Sequence, residues 1–224
     1  MQDSDKSPQP RENPAGGQAG PWTGRWLGER GLRLATGAAT LALYVSFKKS
    51  GFSELEDIIP ADDSLLLIFR RAAGVSAEVR SALVEPLADM QRVTGGARHE
   101  IAVEYGGPAG PDLPALARQA GMGVTGYVER HAAAAYTVAF LGFQPGFPYL
   151  RGLPAALQTA RRATPRPRVA AGSVAIGGNY AGIYPVGGPG GWHVIGRTAA
   201  VLFDPQRDAP ALLMPGDRVR FVPA

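Results

Sequence analysis

Apolar positions change their spacing several times along the chain, and each change marks an element. Trp26 to Ala35 reads as a first strand. Leu41, Leu43, Tyr44 and Phe47 then recur at helical spacing within Thr40–Lys49, and Gly51 ends that helix. Leu55–Ile59 and Ser64–Arg70 read as two strands joined by the turn Pro60-Ala61-Asp62-Asp63. Ser76 caps a helix running to Met90, with Val79, Leu83, Leu87 and Met90 on one face and a bend at Glu85-Pro86. His99–Tyr105 alternates, with Ile101, Val103 and Tyr105 on one side. This order, βαββαβ, predicts a ferredoxin-like unit closed by the His99–Tyr105 strand.

After Gly106-Gly107-Pro108 the pattern shortens. Asp112 is placed to cap a helix through Gln119, and a second helix is expected from about Thr125 to Ala135. Short strands follow at Tyr136–Phe140, Ser173–Ile176, Gly182–Tyr184, His193–Arg197, Ala200–Phe203 and Arg218–Val222, with Pro215-Gly216-Asp217 as a tight turn. So many short strands between turns predict a closed barrel or a sandwich. The division expected is a disordered tail over 1–24, a ferredoxin-like domain over 25–105 and a barrel over 106–224.

Composition sharpens this reading. The chain has 224 residues, with 30 Gly and 20 Pro, which fits a turn-rich β part. There is no Cys, so disulfides, thiolate metal sites and Cys nucleophiles are excluded; a reducing cytosol is the expected compartment. No apolar run is long enough to span a bilayer, so no membrane partner is expected. Net charge is +4, too small and scattered for nucleic acid. The densest basic group, Arg161, Arg162, Arg166 and Arg168, is either a solvated loop or a site for an anion or an acidic surface.

Familiar catalytic signatures are missing. There is no phosphate-binding Gly-x-x-x-x-Gly-Lys loop, no Gly-x-Ser-x-Gly elbow and no His-Glu-x-x-His pair. Gly121-Met122-Gly123-Val124-Thr125-Gly126 follows a helix rather than a strand and reads as an inter-helix loop, not a nucleotide site. No metal or cofactor is expected on this chain.

What remains are runs that interleave glycine and proline with large aromatics. In Gly142-Phe143-Gln144-Pro145-Gly146-Phe147-Pro148-Tyr149, Phe147 and Tyr149 are candidates to line a small-molecule pocket; the plainer alternative makes Phe143 and Phe147 core residues. Gly172 and Ser173 offer backbone and hydroxyl donors to an anion, and Ser173 lacks a neighbouring base. Gly187-Gly188-Pro189-Gly190-Gly191-Trp192 is a specifically shaped loop. Arg197 is a carboxylate partner for a ligand, or for Asp204 or Asp217. His131 is a structural residue or a general acid/base.

These runs carry a resemblance. Tyr105-Gly106-Gly107 with Gly110-Pro111-Asp112-Leu113, Leu141-Gly142-Phe143 with Pro145-Gly146-Phe147, Thr164-Pro165-Arg166, Ala171-Gly172-Ser173-Val174, Gly182-Ile183-Tyr184-Pro185, Pro189-Gly190-Gly191-Trp192 and Pro215-Gly216-Asp217 occur in order. Over Glu100–Phe221 the chain resembles a family of carboxyltransferase domains (subdomains C and D). That family is variously called allophanate hydrolase subunit 1, KipI-like or the B component of 5-oxoprolinase. The resemblance implies an α+β chain with a ferredoxin-like amino-terminal domain and a cyclophilin-like carboxy-terminal β-barrel. It implies a non-autonomous component that works with a C component (allophanate hydrolase subunit 2 type) and an A component to open 5-oxoproline to glutamate. ATP would be used through the partners. The alternatives implied are a KipI-like inhibitor of a histidine kinase and a carboxyltransferase component of a urea carboxylase or allophanate system. The site expected combines His131, Arg166, Ser173 and Arg197 as catalytic groups. Phe147, Tyr149, Gly172, Tyr180, Tyr184, Pro189, Gly190, Gly191 and Trp192 would contact substrate.

Overall fold

A computed structural model describes residues 22–72, 74–84 and 96–224. The expected tail lies outside the described residues up to position 21, and Thr23 and Gly24 already belong to a strand. The continuation of the second helix beyond Val84, with the expected bend at Pro86, also lies outside them.

The first part is a four-stranded antiparallel sheet in the order β1-β2-β4-β3, formed by β1 (Thr23–Leu27), β2 (Gly31–Ala35), β3 (Leu55–Pro60) and β4 (Ser64–Phe69). Alternation places Leu32, Leu34, Leu65, Leu67 and Phe69 on one face, where α1 (Thr40–Ser50) lays Leu43, Tyr44 and Phe47 against them. Gly51, at φ 63°, caps α1 by donating its N–H to the Phe47 carbonyl. Ser76 caps α2 (Ala77–Val84) by accepting from the Val79 N–H at 3.2 Å.

The ferredoxin-like order does not form. Trp26–Ala35, expected as one strand, is a hairpin turned at Gly28, whose φ is 64°. That hairpin supplies its own edge strand, so β1 takes the place beside β2 that the closing strand was expected to fill. The expected closing strand, β5 (Arg98–Tyr105), belongs instead to the barrel, because its inward residues Ile101 and Val103 pack into the barrel core.

Seven strands close that barrel in the order β10-β7-β6-β13-β5-β12-β9. They are β5, β6 (Tyr136–Leu141), β7 (Pro148–Arg151), β9 (Ser173–Gly177), β10 (Tyr180–Ile183), β12 (His193–Arg197) and β13 (Arg218–Pro223). β5 and β13 run parallel, and the other described barrel pairs are antiparallel. The turn before β13 is tied down by Asp217, which accepts from the Met214 and Ala97 N–H groups at 2.9 and 2.8 Å. The interior is filled by Val138, Leu150, Val174, Ile176, Ile183, Ile195, Phe221 and their neighbours. α3 (Leu113–Gln119) and α4 (Val124–Ala133) pack Leu113, Leu116 and Tyr127 onto the same core, with Gly121 in the loop between them.

Two short strands that the hydrophobic pattern does not reveal, β8 (Arg166–Val169) and β11 (Gly188–Gly190), form a ribbon outside the barrel. β7 likewise falls where a loop was expected. The expected strand at Ala200–Phe203 reduces to a single bridge between Phe203 and Ala211.

Candidate functional site

Every residue of β9 is buried because the strand is covered on both sides. Inside lies the aliphatic core. Outside lies a second cluster, built from Ala139, Phe147, Val169, Ala175, Tyr180, Tyr184, Trp192 and Val194, with Phe140 and Tyr149 packed on it. Phe147 is its centre and meets Tyr149, Tyr184 and Trp192 edge-on, at 5.2, 5.2 and 5.4 Å between centroids. The glycines face these rings. A Cβ on Gly177 would sit 2.6 Å from the Trp192 indole, one on Gly182 would sit 2.9 Å from Phe147, and one on Gly190 would collide with the Tyr184 hydroxyl.

The expectation that these aromatics line a pocket is therefore corrected. Phe147, Tyr184 and Trp192 are core residues, and the glycines around them let ring meet backbone. Tyr149 is half-buried and stacks on Phe140 at 4.2 Å. Pro189 is exposed on the ribbon, between the half-buried Gly188 and the buried Gly190.

The reverse correction applies to Phe143, which is 60% exposed. Among the described residues it is the only non-glycine at positive φ, 65°. It lies on an apolar groove of about 670 Å³ together with Pro145, Phe203, Pro210 and Met214. The signal in the sequence is the turn itself: an aromatic between Gly142 and Pro145-Gly146 is as readily presented as buried.

The arginine run is divided among different tasks. Arg161 stands over the Trp192 ring, 5.7 Å from its centroid. Arg166 forks onto Asp112, and Arg162 reaches the same carboxylate at 3.3 Å. Asp112 holds the N-cap position of α3 but makes no side-chain cap. Its carboxylate turns instead to the arginines and to the Val194 N–H at 2.7 Å. Burial pushes its carboxyl up, yet Arg166, the Val194 N–H and Arg162 outweigh burial and hold it below the usual range.

Behind this pair opens a cleft of about 300 Å³ where β5, β8, β9 and β12 meet. Arg166, Arg168, Ser173 and Arg197 line it, with Glu104 and an apolar wall of Pro108 and Pro111. Three of the four expected catalytic groups are thus brought together. Arg197 donates Nε to the Ala171 carbonyl at 3.3 Å. It pairs with neither Asp204, which holds Arg207, nor Asp217, which holds His99. Gly172 shapes the turn next to Ser173: its φ is 78°, its N–H donates to the Tyr184 carbonyl, and a Cβ there would strike the Thr198 carbonyl.

His131 is elsewhere. It is fully buried among Tyr105, Tyr136 and Phe221, with Nδ1 2.8 Å from the Tyr105 hydroxyl and Nε2 without a partner. Burial lowers its pKa to about 3. It reaches neither the cleft nor solvent, so the general acid/base role expected of it is replaced by a structural one.

Tyr180, expected to touch substrate, instead donates its hydroxyl to Asp62 in the β3–β4 turn. Arg151 donates to the same carboxylate at 2.8 Å. These three residues join the amino-terminal sheet to the barrel.

Among the described residues no cluster of His, Cys, Asp and Glu is arranged to hold a metal, and no helix is long and apolar enough to cross a membrane.

Known proteins resemble this chain in sequence and in fold. The chain is 46% identical to the protein of Escherichia coli O157:H7 named as the B subunit of 5-oxoprolinase. That match runs over 168 residues, covering 75% of this chain and 77% of that one. It is 51% identical to the protein of the same name in Haemophilus influenzae over 126 residues, or 56% and 59% of the two chains. A crystal structure of TTHA0988 superposes with a TM-score of 0.73 at 35% identity; the match covers 87% of this chain and 40% of that longer one. The pattern of one family, the carboxyltransferase domain, subdomain C and D, matches residues 26–213. With residues 26–213 matched, which hold the Asp112-centred corner and the barrel strands from β5 to β12, the chain belongs to the carboxyltransferase domain, subdomain C and D family.

Proposed function

We propose that this chain is the B subunit of an ATP-dependent 5-oxoprolinase, a hydrolase that opens the cyclic amide of 5-oxoproline to glutamate in the cytoplasm. The observation that carries the reading is the 46% identity, over three quarters of both chains, with a protein named as the B subunit of that enzyme. The geometry fits one contributor to a shared site. A packed barrel interior leaves ligands to the outer surface, and the polar cleft there is open on one side. A lactam carbonyl resists attack by water because amide resonance stabilises it. The ring also recloses readily because its ends stay close. ATP hydrolysis in partners of the A and C types supplies the drive. Ser173, Arg197 and their neighbours contribute binding and charge from this side, and Asp112 holds Arg166 in place beside them.

A second reading is favoured by the Phe143 groove, whose exposed ring suits a protein contact. In that reading the chain regulates a histidine kinase in the KipI manner.

Co-expression with the A-type and C-type components tests the first reading. ADP and glutamate formation that depends on 5-oxoproline should require this chain. Equal turnover without it, or no assembly at all, would overturn the reading and favour the regulatory one.

A further inference from the structure

We propose that the cleft at the barrel corner is a carboxylate-binding site whose charge comes from Arg168 and Arg197. The proposal deepens the 5-oxoprolinase reading and rests on it only for the choice of 5-oxoproline as the carboxylate to test.

The arginines of this region are accounted for one by one. Arg161 lies on Trp192, and Arg162 and Arg166 share Asp112. Among the described residues, neither Arg168 nor Arg197 has a carboxylate within ion-pair distance. Both line the same cleft, one from β8 and the other from the end of β12. Arg197 uses only Nε, on Ala171, which orients the guanidinium and leaves its two terminal nitrogens for a ligand.

The remaining walls narrow the choice of ligand. Arg166 is committed to Asp112, so the cleft lining holds two uncommitted cations and one carboxylate, that of Glu104. Glu104 sits opposite Arg197 in the β5–β12 register. Arg168 and Arg197 outnumber Glu104, so the cleft carries a net positive charge that attracts an anion. Pro108 and Pro111 offer an apolar wall to a small ring, Ser173 offers a hydroxyl, and Glu104 offers an acceptor for an N–H group. A volume of about 300 Å³ limits the occupant to a small molecule. A small cyclic acid bearing one carboxylate and one N–H has these features.

The test is direct binding of labelled 5-oxoproline to the full chain and to the assembled complex. 2-Pyrrolidinone, the same ring without the carboxylate, and inorganic phosphate serve as competitors. Arg168→Gln and Arg197→Gln should each weaken binding at least tenfold, Arg220→Gln should not, and neither competitor should displace the ligand. Unchanged binding in both cleft variants, effective displacement by either competitor, or no saturable binding to chain or complex would overturn the proposal. If binding depends on the two arginines but turnover never requires this chain, the 5-oxoprolinase reading falls and the cleft stands. If turnover requires the chain but KM is unmoved in both variants, the cleft falls and the 5-oxoprolinase reading stands.

Discussion

Asp112 receives the Nη2 and Nη1 atoms of Arg166 at 2.7 and 2.9 Å, a two-pronged pair whose carboxylate also accepts the Val194 N–H. One side chain thereby fastens the start of α3, the ribbon strand β8 and the barrel strand β12. Asp112→Ala leaves Arg166 and the Val194 N–H without their acceptor in a mostly buried setting. We expect it to cost about 2–4 kcal/mol in urea unfolding. Asp112→Asn, which keeps one acceptor oxygen, should cost less. Equal stability of parent and Asp112→Ala would mean that water replaces the pair.

The same pair sets a pH dependence. Asp112 titrates below the usual carboxylate range when folded. Its contribution is therefore complete above the unfolded-chain value of about 3.9 and is lost as pH falls through the folded one. Acid unfolding midpoints should be less pH-sensitive in Asp112→Asn than in the parent. Parallel curves would show that the carboxylate gains nothing from its partners.

Gly177 lies flat against the Trp192 indole, where a Cβ would be 2.6 Å from the ring. Backbone on one side and the aromatic layer on the other leave the indole little room to retreat. Gly177→Ala should destabilise by about 1–3 kcal/mol and shift the tryptophan fluorescence. Loss of stability without a spectral change would place the strain elsewhere.

How far the sequence reveals this protein depends on whether a signal is local. The helix Thr40–Ser50 and its glycine cap are legible because four apolar residues and Gly51 fall within twelve positions. The fate of β5 is not legible. Its alternation announces a strand, but which sheet receives Ile101 and Val103 is decided by β12 and β13, about a hundred residues away. The site shows the same division. Ser173 and Arg197 stand out by residue type and are brought to one cleft. Trp192 and Phe147 stand out by the same composition and prove to be packing, because glycine serves ring contact and ligand approach equally well. The capture of Asp112 by arginines fifty positions away leaves no local mark.

Tyr180 and Arg151 both donate to Asp62, so this contact is the polar join between sheet and barrel. Tyr180→Phe keeps the ring in the aromatic layer and removes only the donor. It should cost about 1 kcal/mol. Because the Asp62 and Arg151 side chains are 57% and 37% exposed, coupling between them should be small, below about 1 kcal/mol in a double-mutant cycle. Asp62→Ala should cancel the effect of Tyr180→Phe, since both remove the same bond. Full additivity of the two would show that the hydroxyl has another partner.

His131 gives the last prediction its sign. Its ring stacks on Phe221 at 4.8 Å, its Nδ1 meets Tyr105, and burial lowers its pKa to about 3. The unfolded chain binds a proton here near pH 6.5, while the folded chain does so only near pH 3. Between these values the unfolded state holds more protons, so stability must fall as pH falls, by up to about 1.4 kcal/mol per pH unit. The window from pH 6.5 to 5 is the informative one, because carboxylates titrate below it. His131→Phe preserves the stacking ring and removes the titration. Urea unfolding across that window should show the parent losing stability with acid and His131→Phe holding nearly level. Equal slopes would mean that the imidazole is protonated in the folded state as readily as in water, and that its aromatic cage admits solvent.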